Sequence, residues 1–379
     1  MKILIGGDFS PRNRMTQIIE SGNGSEIFSA EVVQLFSDSD LNIINFETTI
    51  AQDGQKPINK IGPRLKTTEK SVDVLKNLGV DVVTLANNHA FDYGKDALIN
   101  TLNIFNKNDI EFVGAGLNIN EASKILYKKI DNSIIAIINC CEHEYGIATK
   151  DTAGTNPLNP VSQYYAITEA RKQADYIIVI VHGGSEQFQL PSLRMQDTYR
   201  YFIDLGADVV VNHHQHCYSG YEIYKDRPIY YGLGNFAFDI SSRPRPFGWC
   251  EGILLSLEFI DNQIKHKPIP YIQFRENPNV ALMIDRTEFN IKFESLSKTI
   301  VDREKLEEEL DAFYKSHERR IYSLLQPWPD RYFRGAFFHG YLPSLVSRQS
   351  LAWIQNYVEC QSHYEKLVYF LDKNARSTR

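Results

Sequence analysis

An α/β sandwich is the fold class that the sequence predicts for residues 1 to about 270. Short β-branched runs alternate there with amphipathic stretches, the pattern of strands crossed over by helices. The stretches between the runs place apolar residues at helical spacing and stop at turn residues. Beyond about 270 the character changes to longer charged and aromatic segments. Two domains are therefore expected: 1–270, and a C-terminal extension over 271–379 with some strand followed by helices.

Taken in order, Lys2–Ile5 reads as the first strand, Glu31–Phe36 as a helix and Leu41–Phe46 as the next strand. Thr68–Leu78 carries Val72, Leu75 and Leu78 on one helical stripe, with Gly79 as its C-cap. Val80–Ala86 reads as strand, Ala97–Phe105 as helix, Ile110–Val113 as a short strand and Ser133–Asn139 as a buried one. Thr168–Ala174 reads as a helix leading into the strand Tyr176–Val181. Met195–Leu205 is helical, and Asp208–Val211, Pro228–Tyr231 and Gly252–Phe259 are strands. In the extension, Val280–Phe293 is expected to hold one or two strands. Asp302–Ser316 places Leu306, Leu310, Phe313 and Tyr314 at helical spacing, and Ser347–Asp372 reads as a helix or helix pair.

The 379 residues carry 41 basic and 47 acidic side chains, a formal charge of −6. A dedicated nucleic-acid binder would usually be basic. The longest apolar runs, Ile134–Ile138 and Tyr176–Val181, fall far short of the ~20 residues of a membrane helix. Lys2 precedes only three apolar residues before Gly6-Gly7-Asp8, too few for a secretory signal. Five cysteines give no disulfide framework. A cytoplasmic setting without a direct membrane anchor is the expectation.

The residues that follow the strands carry the chemistry. The first strand runs into Asp8, the second into Glu47, and Val80–Ala86 into Asn87-Asn88-His89. Tyr176–Val181 runs into His182, and Asp208–Val211 into Asn212-His213-His214-Gln215-His216. Ligands of open α/β sheets bind beyond the carboxyl ends of the strands. Carboxylate, amide oxygen and imidazole together suit one or two divalent ions such as Zn, Mn or Fe. Singly, each residue has a plainer reading as turn, cap or core histidine. Five such strand ends in succession do not. Nucleotide motifs are absent: Gly94-Lys95 lacks the earlier glycine of a phosphate loop, and Gly114-Ala115-Gly116 and Gly232-Leu233-Gly234 fail the dinucleotide pattern.

The motifs GDFSP, NFETTI, TLANNHAFDYG, VIVHGGSEQ, GADVVVNHHQHCYSGYEIY and PIYYGLGNFAFD occur in this order. They resemble the CapA family of bacterial capsule or poly-γ-glutamate synthesis proteins, itself similar to calcineurin-like metallophosphoesterases. The resemblance covers about residues 1–260 and implies a four-layer αββα sandwich with a metal centre at one edge of the paired sheets. It implies Asp8, Glu47, Asn88, His182, His214 and His216 as metal ligands and His89 as the catalytic histidine. His213 stands where the metallophosphoesterase motif has glycine, and Ser10 where it has a histidine two residues after the first Asp.

Glu186 and Asn235 are the expected supports of the ligating histidines, Glu186 for His182 or His216. Arg12, Arg14 and Arg64 are the expected substrate contacts, since guanidinium groups grip carboxylate or phosphate. Cys140-Cys141-Glu142-His143-Glu144 ends a strand at the same edge and reads as core packing and surface loop. The aromatic and basic C-terminal stretch, Phe313 to Phe338, reads as a packing or homodimer surface, with a wall for a polymer or sugar as the other reading.

Two functions stay open. One is a metal-dependent hydrolase of a phosphoester or an amide/γ-glutamyl bond in capsule or cell-surface polymer metabolism, acting on an anionic polymer or a small phosphorylated or carboxylated substrate. The other is a non-catalytic polymer-handling component whose metal site is structural or grips an anionic chain.

Overall fold

The computed structural model describes residues 1–60, 62–240, 244–260, 263–327, 331–359, 367 and 371. The chain divides into two compact units, 1–306 and 307–379.

The first unit is built on two large sheets. In one, eight strands include the order Val280–Leu282, Gln263–Gln273, Glu251–Ile260, Lys2–Phe9, Leu41–Phe46, Val82–Thr84 and Glu111–Val113, with Asn235–Ala237 beside the end of Lys2–Phe9. The other has six, in the order Tyr221–Tyr224, Arg227–Tyr230, Val209–His213, Tyr176–His182, Ser133–Cys141 and Leu126–Ile130. Four neighbouring strands of each sheet are mutually parallel, and the remaining main strands pair antiparallel at the flanks.

Side-chain alternation assigns the layers. Ile3, Ile5, Leu41, Ile43 and Val82 of the first sheet share one core with Ile135, Ile137, Ile178, Ile180, Val209 and Val211 of the second. Leu4, Ile44 and Val83 point the other way, into a core with Val32, Phe36, Val72, Leu75, Leu98 and Phe105 from the covering helices. Helices Pro160–Ala170 and Leu193–Asp204 contact the second sheet at Ser133–Cys141 and at Val209–His213. The result is the four-layer αββα sandwich. Each of these large aliphatic side chains, fully withdrawn from water, stabilises the fold by about 1.5–3 kcal/mol.

Most predicted elements are present, with shifted ends. The stripe-bearing helix runs Lys70–Leu78; Gly79 adopts φ 84°, and its N–H and that of Val80 bond the carbonyls of Lys76 and Leu75 at 3.0 Å each, a glycine-terminated helix end.

Three expectations need correcting. The helix placed at Thr168–Ala174 is Pro160–Ala170: Asn159 caps it through the N–H groups of Val161 and Ser162, with Pro160 in the first turn. Val280–Phe293 holds a single three-residue strand, Val280–Leu282, and then enters the helix Thr287–Val301. The compact unit ends at Leu306, beyond the expected boundary at 270, because Gln263–Gln273 and Val280–Leu282 complete the first sheet.

The second unit contains most of helix Arg303–Leu325, then Arg331–Phe338 and Arg348–Glu359; of the helix expected over Ser347–Asp372, nearly all of the part beyond Glu359 lies outside the described residues. Among the described residues no helix is long and apolar enough to cross a membrane.

Candidate metal centre

The carboxyl ends of the parallel strands converge between the two sheets, and a β-bulge sets the first ligand. Ile3 and Ile5 face the inter-sheet core, so plain alternation would turn Gly7 inward and Asp8 outward. The register of Lys2–Phe9 against Leu41–Phe46 shifts between Gly6 and Asp8. The extra residue re-aims the chain so that the Asp8 carboxylate meets groups from both sheets. A side chain at Gly7 is impossible without movement, since its Cβ would lie 1.8 Å from the Gly234 carbonyl oxygen.

Asp8 is fully buried and its Oδ1 accepts the amide N–H of Asn45 at 2.7 Å. His213 Nδ1 lies 3.6 Å from Oδ1, and His216 Nδ1 3.6 Å from Oδ2. Glu47 projects next to it: Oε1 is 3.5 Å from His182 Nε2 and 3.9 Å from His89 Nε2, and Oε2 is 3.9 Å from His216 Nδ1. His182 Nε2 is 3.1 Å from both Asn88 Oδ1 and His214 Nδ1.

Two sets of donor atoms thereby lie within 4.8 Å of one another, Asp8–Glu47–His216 and Glu47–His182–His214, with Glu47 common to both. His214 and His216 reach inward from a backbone with positive φ, 93° and 56°, a conformation uncommon for non-glycine residues that clusters at functional sites.

Chemistry tests whether this donor set fits a divalent ion. Among the described residues, neither oxygen of Glu47 and neither ring nitrogen of His213 has a hydrogen-bond partner, although all four atoms are buried. Burial and the nearby Asp8 push the Glu47 carboxyl well above the usual range. Burial lowers His216, but Glu47 and Asp8 outweigh it and raise the imidazole to about 10. Asp8 is pushed up by burial, yet the histidines around it hold it below the usual carboxylate range. His182 and His214 are lowered, His214 to about 4, chiefly by burial. Two buried carboxylates thus compete for one imidazolium, and two imidazoles are kept neutral with lone pairs available. A divalent cation would supply the missing positive charge and give Glu47 the partner it lacks. The residues fit.

His89 is held from behind. Its Nδ1 meets Asp92 Oδ2 at 2.6 Å, and Lys60 Nζ bonds Asp92 Oδ1 at 2.5 Å and the Asn88 carbonyl at 3.0 Å. All three side chains are buried. Burial depresses His89, with Asp92 opposing. Nε2 is left facing Glu47 and the centre. Sequence reasoning missed Asp92, Lys60 and Asn45. Asp92 had a local signal, its i+3 spacing from His89; Lys60 and Asn45 are placed by folding alone.

The remaining expected residues divide. Asn235 Oδ1 accepts from His216 Nδ1 at 2.9 Å, and its amide N–H groups bond the His216 and Trp249 carbonyls, so it does orient a histidine. Glu186 does not. It is exposed and makes no hydrogen bond among the described residues, while Asn45, Asn88 and His214 surround His182.

Arg14 is not free for substrate, because it grips Asp239 through Nε at 2.9 Å and Nη2 at 2.8 Å and also bonds the Glu276 carbonyl at 3.1 Å. Arg64 is exposed and folds back on the carbonyls of Gly62 and Lys60. Arg12 is half-buried with no ion pair among the described residues, and burial lowers its guanidinium.

Comparison with known sequences then places the chain. The family model of the bacterial capsule synthesis protein PGA_cap matches residues 2–240. The chain belongs to this family. The PGA_cap segment therefore contains every residue of the two donor sets. The PGA biosynthesis protein CapA of Bacillus subtilis (strain 168) is 35% identical over 237 residues, 62% of this chain and 62% of that protein. The capsule biosynthesis protein CapA of Bacillus anthracis is 30% identical over 241 residues, 62% of this chain and 58% of that protein. The chain thus matches about three-fifths of the length of these curated relatives. Among solved structures it is similar to a hypothetical protein of Thermus thermophilus, at 16% identity and TM-score 0.45 over 72% of this chain and all of that one. A protein described as a novel phosphatase of Mycoplasma pneumoniae overlaps at 17% identity and TM-score 0.45, over 72% of this chain and 93% of that one.

Proposed function

We propose that this PGA_cap protein is a metal-dependent hydrolase that cleaves a phosphoester or an amide/γ-glutamyl bond of an anionic substrate in capsule or cell-surface polymer biosynthesis. The observation that carries the reading is Glu47, a fully buried carboxylate with both oxygens unbonded where two donor sets meet. Asp8, Glu47 and His216 would hold one ion, and Glu47, Asn88, His182 and His214 a second, with Zn, Mn or Fe suited to these donors. A divalent ion in such a site supplies Lewis acidity, polarising a scissile phosphoryl or carbonyl oxygen and acidifying water.

The chain's own residues do the rest. Asn45 and Asn235 fix Asp8 and His216. Asp92 holds the Nδ1 side of His89, so Nε2 exchanges a proton with the leaving group at the mouth of the centre. The inter-sheet core excludes water from behind. A cytoplasmic location accords with the free thiols of Cys140, Cys141, Cys217 and Cys250. Residues 1–270 carry this chemistry, and the extension from 271 on contributes the edge strand Val280–Leu282 of the first sheet and the C-terminal helices.

The test is elemental analysis of the purified chain with turnover of a chromogenic phosphodiester and of a γ-linked glutamate oligomer. Metal content together with turnover that His89→Ala reduces by about 10²–10⁴-fold supports the reading. Bound metal with no turnover of either substrate transfers the protein to the non-catalytic polymer-handling role.

A further inference from the structure

Beside Trp249 lies a cleft of about 320 Å³ lined by Arg245, Gly248, Trp249, Cys250, Glu251 and Arg275. The Trp249 ring packs on the His216 ring at a centroid distance of 4.9 Å, and its indole N–H is fixed to the Phe238 carbonyl at 2.8 Å. One side chain therefore touches both the cleft and a candidate ligand of the centre.

Arg245 is the unexplained group there. It stands between Pro244 and Pro246, so its backbone has few conformations to lose. Its Nη1 donates to the Arg275 carbonyl at 2.6 Å. Its Nε and Nη2, the parallel edge that would clasp a carboxylate, are buried and have no oxygen or nitrogen hydrogen-bond partner among the described residues. The Cys250 thiol is a side-chain hydrogen-bond partner of the same guanidinium, but sulfur is only a weak acceptor. The nearest acid is Asp239, whose Oδ1 lies 3.6 Å from Nη2. That carboxylate is already saturated: its Oδ2 accepts from the Arg14 N–H and Nε, and its Oδ1 from the Arg14 Nη2. Arg275 at the lip is half exposed and pairs with Glu251. Among the described residues three guanidinium groups face two carboxylates, which leaves one positive charge and one buried fork without an oxygen acceptor. Leaving such donors bare costs about 1–3 kcal/mol or more, and a planar anion would satisfy both N–H groups at once.

We propose that the Arg245 fork, with Arg275 at its lip, is a subsite for a carboxylate of an acidic polymer whose neighbouring unit lies at the metal centre. The proposal rests on the reading of the centre as a site for an anionic polymer and deepens it: the substrate carries a carboxylate on successive units, so one is held here while the bond beside it is presented. A small monoanion would fill one site and leave the other bare.

Calorimetric titration of the full chain, metal-stripped and metal-loaded, tests this with a short γ-linked glutamate oligomer and, separately, with inorganic phosphate. The oligomer is expected to bind the metal-stripped wild type. Arg245→Met should weaken that binding tenfold or more, Arg245→Lys should restore only part, and metal content should be unchanged in both. Arg275→Met, at an exposed side chain, provides a second variant and should weaken binding by about threefold. Equal affinity in wild type and Arg245→Met overturns the proposal, as does binding of phosphate alone or of neither anion. If Arg245→Met fails to fold, an Arg275→Met affinity equal to wild type overturns it. Turnover is not needed for any arm, so an inactive but oligomer-binding protein would sink the hydrolase reading and leave the subsite standing.

Discussion

Two buried glutamates in this chain receive opposite treatment. Glu222, on the strand Tyr221–Tyr224, is 3% exposed; its Oε1 accepts from Arg200 Nε at 3.0 Å and the Tyr231 hydroxyl at 2.6 Å, and its Oε2 from Arg200 Nη2 at 2.5 Å. Glu47 is 0% exposed and accepts no hydrogen bond from any described residue. A carboxylate taken out of water without donors costs several kcal/mol. The fold meets that cost at Glu222 with a guanidinium and leaves it standing at Glu47. Burial of a charge is therefore no sign of function by itself, whereas burial without a partner, beside other donors in the same state, is.

The sharpest test of this contrast is metal affinity. Glu47→Gln should weaken divalent-ion binding at least about 100-fold, while Glu222→Gln should leave it unchanged, both read by competition with a chelator. Equal losses would break the comparison. Stability should move the other way. Glu222→Ala leaves Arg200 facing an empty partner and should cost about 3 kcal/mol in urea unfolding, whereas Glu47→Gln in the metal-stripped protein should be neutral or stabilising. Gly7→Ala should cost a similar ~3 kcal/mol, because the new methyl collides with the Gly234 carbonyl.

The pH profile sharpens the comparison further. His182 and His214 are lowered in the fold, His214 to about 4, so unfolding takes up protons and stability is lost as pH falls from about 6.5 toward 4. His216 is raised to about 10, so its contribution is complete below 6.5 and lost as pH rises toward 10. Glu47, raised well above its ordinary 4.5, adds a loss that begins as pH rises past about 4.5, so the metal-stripped chain should be most stable between about pH 4.5 and 6.5, with a flatter alkaline limb in Glu47→Gln, which removes that carboxyl and one of the charges that raise His216. Chemical denaturation across pH checks both limbs. The smallest effects belong to the arginines outside the centre. Arg14→Ala should cost ~2 kcal/mol of stability with metal affinity intact, and Arg64→Ala should stay within ~0.5 kcal/mol.

The layered fold was legible because alternation and helical stripes are local. The six expected ligands come together for the same reason: each ends a strand, and the parallel sheets bring those ends to one rim. What lay beyond reach depends on distant partners. Arg14 looked free until Asp239, 225 residues away, claimed it. Lys60 stood in a featureless loop until folding set it against Asp92. Glu186 had the right residue type and neighbourhood but extends into solvent. The helix ahead of Tyr176 starts earlier than its apolar spacing suggests because Asn159-Pro160 is a capping pair that sets its first turn at Pro160.

The inserted residue at Gly6–Asp8 has an evolutionary and engineering corollary. Side-chain facing along a strand is a parity, and one extra residue inverts it for everything downstream. Deleting a single glycine there would keep every ligand in the chain yet swing the aspartate to the helix-covered side. A length change at this position is thus a cleaner off-switch than substitution, and homologues that lost one of the two glycines should have lost the cation as well.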